Sequence, residues 1–198
     1  MKKSISWKIT MFIGILLGII IIILDHIDKS KILFISFASG SIGIWIIISI
    51  LIMYFSSDNK KIFINVLVFL CSMCLTYYAI KDIIDSMISY QTISNMTSGE
   101  LEQLGLTKNS WISFSWDKLI VWLVISFGCA FGCYVLNKVK KRIFIYYILS
   151  AIPLFIIFLE GINFAKAVMT GRTGLCPAVI NFLGGIVCIA LLVKNQKE

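Results

Sequence analysis

A chain of 198 residues that is 59% hydrophobic and 14% charged, with a mean hydropathy of +0.95, is not built for water, since soluble domains run at roughly 45–50% apolar and 25% charged. Its formal net charge of +8 does not point to nucleic acid as a partner, because the basic residues stand beside apolar blocks and not along one polar face. A membrane β-barrel is excluded too: its strands alternate over ~10 residues, whereas runs such as Ile19 to Leu24 do not alternate.

The apolar blocks are about as long as a bilayer is thick, roughly 20 residues at 1.5 Å each. They predict an all-α integral membrane protein, one domain forming a bundle of six transmembrane helices at about 7–24, 32–55, 62–80, 118–136, 143–169 and 177–193. The lipid bilayer is its first partner.

The first block has a basic start and an apolar run, as a signal peptide does. No small-x-small cleavage site follows before Asp25, His26 and Asp28, so it reads as a retained helix. Gly14 and Gly18 form a GxxxG within it, a pattern that lets helix backbones approach closely in lipid. His26 is the single histidine, and four adjacent loop residues are poor geometry for a metal. No metal site and no cofactor are expected.

In the third block, Cys71 and Cys74 make a CxxC. A thiolate is costly in hydrocarbon, so the pair reads as packing and not as redox chemistry. The outer loop, residues 81–117, is far longer than the ~2–8 residues usual between bundled helices. Thr97 and Glu100 form a capping box ahead of Leu101, Leu104 and Leu106. A short amphipathic helix on the outer surface is expected there, with Trp111 and Trp116 in the aromatic belt; an irregular surface loop is the alternative.

The fourth block carries a second GxxxG, Gly128 and Gly132, widened by Cys129 and Cys133. Both glycine faces are predicted helix-packing surfaces. Ser4-Ile5-Ser6-Trp7 before the first helix echoes Ser113-Phe114-Ser115-Trp116 before the fourth. Either two three-helix halves form an inverted repeat, or each copy only supplies an interfacial tryptophan.

Orientation follows the basic residues. With the N-terminus in the cytoplasm, the inside carries eleven (Lys2, Lys3, Lys8, Lys60, Lys61, Lys138, Lys140, Lys141, Arg142, Lys194, Lys197) against seven outside. Both termini are expected to be cytoplasmic, in a multi-pass plasma-membrane protein. The isoleucine and lysine richness suits an AT-rich bacterial genome.

Polar chemistry concentrates at the turn from the fifth helix to the sixth. Glu160 lies about 17 residues after the helix entry, still in or near the outer hydrocarbon, where an acid is costly unless paired. Asn163, Lys166, Arg172 and Asn181 accompany it, with Asp82 and Asp85 as candidates for an outer rim. Gly171-Arg172-Thr173-Gly174 before Pro177 can aim N–H groups and a guanidinium at an anion. The alternative makes Lys166 and Arg172 interfacial anchors and Glu160 a structural hydrogen-bonding group.

No HExxH, GxSxG, GxxxxGK[ST] or TVGYG is present. In size and helix number alone the chain is reminiscent of small substrate-capture subunits of bacterial importers. The expected function is non-enzymatic binding or transport of a small anionic or zwitterionic solute at an outward-facing polar site, as one subunit of a larger transporter. The alternatives are a membrane interaction protein with a membrane-protein partner, such as an immunity factor or accessory subunit, and a membrane-embedded enzyme.

Overall fold

A computed structural model describes residues 5–26, 41–94, 116–170 and 175–197. Every regular element among them is an α-helix: α1 (Trp7–His26), α2 (Ile42–Phe55), α3 (Asn59–Ser94), α4 (Trp116–Val139), α5 (Ile143–Met169) and α6 (Cys176–Lys197). Asn59–Met87 of α3, together with α4, α5 and α6, is long and apolar enough to cross a membrane, while Trp7–Ile23 and α2 are shorter. Their outward faces stay apolar, as Phe144, Phe155, Val124 and Leu183 show. That suits lipid and not water.

The helices alternate in direction. At one end, the Ile5 N–H donates to the Phe55 carbonyl, 3.3 Å, tying the start of α1 to the end of α2. Asn65, buried near the start of α3, donates to the Ile5 carbonyl and to Ser56 Oγ, both at 3.0 Å. Asn137 of α4 donates to Asn59 of α3 at the same end. Tyr146 of α5 donates its hydroxyl to the Leu192 carbonyl of α6, 2.8 Å, and Lys194 stands 5.4 Å over the Tyr54 ring. This end therefore gathers Lys60, Lys61, Lys138, Lys140, Lys141, Arg142, Lys194 and Lys197. Among the described residues the buried polar groups here are met within the bundle except for Asn195 Nδ2, in keeping with the demand of a membrane interior.

α2 is the hub. Its sequence, IGIWIIISILIMYF, has no charged residue and is apolar on every side, the composition of a helix surrounded by protein. It packs against α3, α4, α5 and α6, while α1 lies on α3 and α5 on α6. Ile50, Met53, Val66, Phe69 and Leu70 fill the core, and Trp45 of α2 stacks on Trp122 of α4 with centroids 4.6 Å apart.

The helix ends depart from expectation in two places. α3 runs to Ser94 instead of stopping near residue 80, because a lysine ends a membrane span but not a helix, and no Gly or Pro interrupts 59–94. The first part of the outer loop is thus helical; Thr97, Glu100 and Trp111 lie outside the described residues. α2 starts at Ile42 and not at Ile32: Ser41 is an extended N-cap (φ −72°, ψ 102°) whose oxygen accepts the Ile44 N–H. With 14 residues, α2 is about 21 Å long, short of the ~30 Å hydrocarbon layer. The packing of α1 on α3 has no counterpart between α4 and α6 among the described residues, so the halves do not repeat one another in their contacts.

Candidate functional site

The first N–H groups of a helix have no acceptor within the helix itself, and each needs a partner from outside it. For α2 that partner is Glu160, brought across from α5. The Ser41 hydroxyl donates to Glu160 Oε2 at 2.8 Å, the Ile42 N–H to Oε1 at 3.0 Å and the Gly43 N–H to Oε2 at 2.5 Å. A carboxylate at a helix N-terminus also opposes the positive end of the helix dipole. The acid is thus held by three donors and by the field of α2.

Asn181 of α6 closes the cluster from the other side and is fully buried. Its Nδ2 donates to the Pro177 carbonyl at 3.0 Å, one turn back on its own helix. Its Oδ1 finds no donor among the described residues. Gly43 explains how the three elements come so close: a Cβ there would collide with both Asn181 Oδ1 and Glu160 Oε2. The position requires glycine because side chains from α5 and α6 occupy the space a side chain of α2 would take. Gly161, beside Glu160, is less crowded: a Cβ there would stand 3.3 Å from Asn181 Cβ and 3.5 Å from the Phe182 ring.

The remaining residues singled out from the sequence scatter. Asn163 and Lys166 are exposed on α5 and do not join the cluster, although Asn163 follows Glu160 at helical spacing. Arg172 lies outside the described residues. Asp82 is buried and Asp85 exposed on the extended part of α3, where Lys81 donates to the Tyr77 hydroxyl at 3.3 Å. Sequence reasoning missed Ser41 and Gly43. The signal was present in Ser39-Gly40-Ser41, a helix-start cluster inside an apolar block.

The two glycine faces part company. Gly14 and Gly18 are pressed against α3, where a Cβ on Gly14 would collide with Ser72 Oγ and with the Phe69 carbonyl oxygen. Gly128 and Gly132 have nothing within 4 Å of where a Cβ would stand. All six cysteines are free; Cys74 is buried with its sulfur 3.7 Å from Ser126 Oγ of α4. The described residues contain no cluster of His, Cys, Asp and Glu able to hold a metal.

The arrangement is chemically an anion site occupied from within: a short helix offers N–H groups, and the chain's own carboxylate takes them. Comparison with known proteins finds no matching family, no matching curated protein and no matching solved structure.

Proposed function

We propose that the chain is a non-enzymatic, multi-pass plasma-membrane protein that binds or transports a small anionic or zwitterionic solute, as a subunit of a larger transporter. One observation supports this most: Glu160, an acid within a membrane-crossing helix, holds the N-terminus of a helix too short to cross. Helices that begin at membrane depth with their positive ends aimed at an anionic group are the building plan of many transporter binding sites. A solute carboxylate or phosphate would compete with Glu160 for the Ile42 and Gly43 N–H groups. An ammonium group on the same solute would have Asn181 Oδ1 as an acceptor. In this reading the six helices form one membrane-embedded bundle, both termini are cytoplasmic, and the Glu160 end faces outward.

The interaction-protein reading keeps only one of its two glycine faces, that of Gly128 and Gly132, because Gly14 and Gly18 are consumed inside the chain. A companion that co-purifies in equal amount would restore it. The membrane-enzyme reading rested on Glu160 and the cysteines, and Glu160 here is engaged in holding α2.

The test is thermal stabilisation of the purified protein by a panel of small carboxylates, phosphates and amino acids, with Glu160→Gln alongside. Stabilisation by at least one anionic or zwitterionic compound is expected, and its size should change when Glu160 loses its charge. Absence of any stabilisation, or a shift indifferent to the substitution, removes the proposed site.

A further inference from the structure

The acid that takes three donors and the acceptor that has none among the described residues stand side by side. A Cβ on Gly43 would lie 3.2 Å from Asn181 Cγ and closer still to Oδ1, so the fully buried amide oxygen points at the start of α2. Glu160 Oε2 reaches into the same space. The amide cannot turn round to offer its N–H there without setting its oxygen against the Pro177 carbonyl, which Nδ2 now holds. Two acceptor oxygens therefore converge where a single Cβ does not fit, and a water molecule needs at least as much room. Few charges stand near. Of the helices packed against α5, α2 carries no charged side chain, α6 has Cys176 at its start and no charge before Lys194, and α4 brings Asp117 and Lys118, both exposed, in its first turn. On α5 itself, Lys166 is exposed.

We propose that an anionic solute binds here together with a proton, which Glu160 takes up and shares with Asn181 Oδ1; the inference rests on the solute-binding reading above. A carboxylate or phosphate that takes the Ile42 and Gly43 N–H groups strips Glu160 of donors that hold its charge. It also sets a second anion at the same helix end. Two like charges sharing one site do not both persist, and the carboxylate stripped of its donors takes the proton. The proton comes from solvent, to which the half-buried Glu160 has access; it bonds to Oε2, and no other bond breaks. The neutral carboxyl is then a donor, and Asn181 Oδ1 is the acceptor it meets. A proton needs no cavity, so this closed cluster admits one where it does not admit a metal ion, which the positive end of α2 would also repel. For a monoanion the charge of the site is the same before and after loading, because the solute's charge replaces that of Glu160.

The experiment is titration calorimetry of the purified full chain with acetate, lactate and glycine at about pH 7, where each carries an ionised carboxylate. Two buffers of different ionisation enthalpy make proton uptake directly readable. The expected result is uptake of about one proton per bound molecule, with affinity rising about tenfold for each unit by which the pH is lowered. Glu160→Gln, a permanent likeness of the protonated acid, should bind the same compounds with no proton uptake and little dependence on pH. Asn181→Leu removes the acceptor, and affinity should fall about tenfold. Should Glu160→Gln not fold, the pH slope of the wild type together with Asn181→Leu carries the same expectation. Binding without proton uptake, uptake that survives Glu160→Gln because the compound brings the proton itself, or an affinity indifferent to Asn181→Leu would overturn the inference and leave the binding site standing. No binding of any of the three compounds overturns it as well, and the wider stabilisation panel then decides the solute reading by itself.

Discussion

Glu160→Ala is expected to destabilise the protein by about 2–4 kcal/mol, because hydrogen bonds to a charged group contribute ~1.5–3 kcal/mol and buried donors left behind add to the loss. The substitution strips three donors at once: the Ser41 hydroxyl and the Ile42 and Gly43 N–H groups. The first turn of α2 should fray, and with it the contacts of α2 with α5 and α6. Glu160→Gln should cost less. Its carbonyl oxygen still accepts from α2, and its amide can donate to Asn181 Oδ1, which has no donor in the wild type. Reversible unfolding in mixed detergent micelles measures both. Equal losses for the two substitutions would mean that the carboxylate's charge matters and that the accepting oxygen kept by glutamine does not.

Gly14→Leu should be at least as damaging. A Cβ at Gly14 meets Ser72 Oγ and the Phe69 carbonyl oxygen; the hydroxyl can rotate away, but the carbonyl belongs to the backbone of α3 and cannot. A Cβ at Gly18 lies 2.9 Å from the Met73 carbonyl oxygen and 3.0 Å from Thr76 Cβ, so α1 cannot tilt to relieve the clash. Overpacking of this kind costs about 1–3 kcal/mol and occasionally more. Here the penalty falls on the whole α1–α3 interface, since α1 has no other substantial partner among the described residues. The control is Gly132→Ala on α4, where the space is open and exchanging glycine for alanine in a helix stabilises by up to ~1 kcal/mol. The same unfolding assay separates the two cases: a large loss at position 14 and none at 132. A comparable loss at both would contradict the packing of α1 on α3.

What could be read in advance was what depends on neighbours in sequence. The bounds of α5 follow directly from the Lys140-Lys141-Arg142 cluster before Ile143 and the glycine after Thr170. The apolar blocks announced helices, and an acid inside one of them announced Glu160. The end of α3 was obscured because Lys81 and Asp82 look like a membrane boundary, and a helix of 36 residues can leave a bilayer without ending. The start of α2 was obscured because nothing in an apolar block distinguishes a capped start from one more turn unless its partner is known. That partner lies 117 to 119 residues away. The two GxxxG motifs were indistinguishable as patterns, and only packing reveals that one is closed by α3 and the other open.

In the proposed topology the helices cross a bilayer in alternation, with the Lys138 to Arg142 turn at one surface and the Glu160 end toward the other. Single cysteines at Ser57→Cys, Lys140→Cys, Asp117→Cys and Met169→Cys in a cysteine-free background, probed on intact cells with a membrane-impermeant maleimide, test it directly. Labelling at 117 and 169 alone, with 57 and 140 reacting only after permeabilisation, is the predicted result. Labelling of both pairs on intact cells, or of 57 and 140 alone, would contradict it.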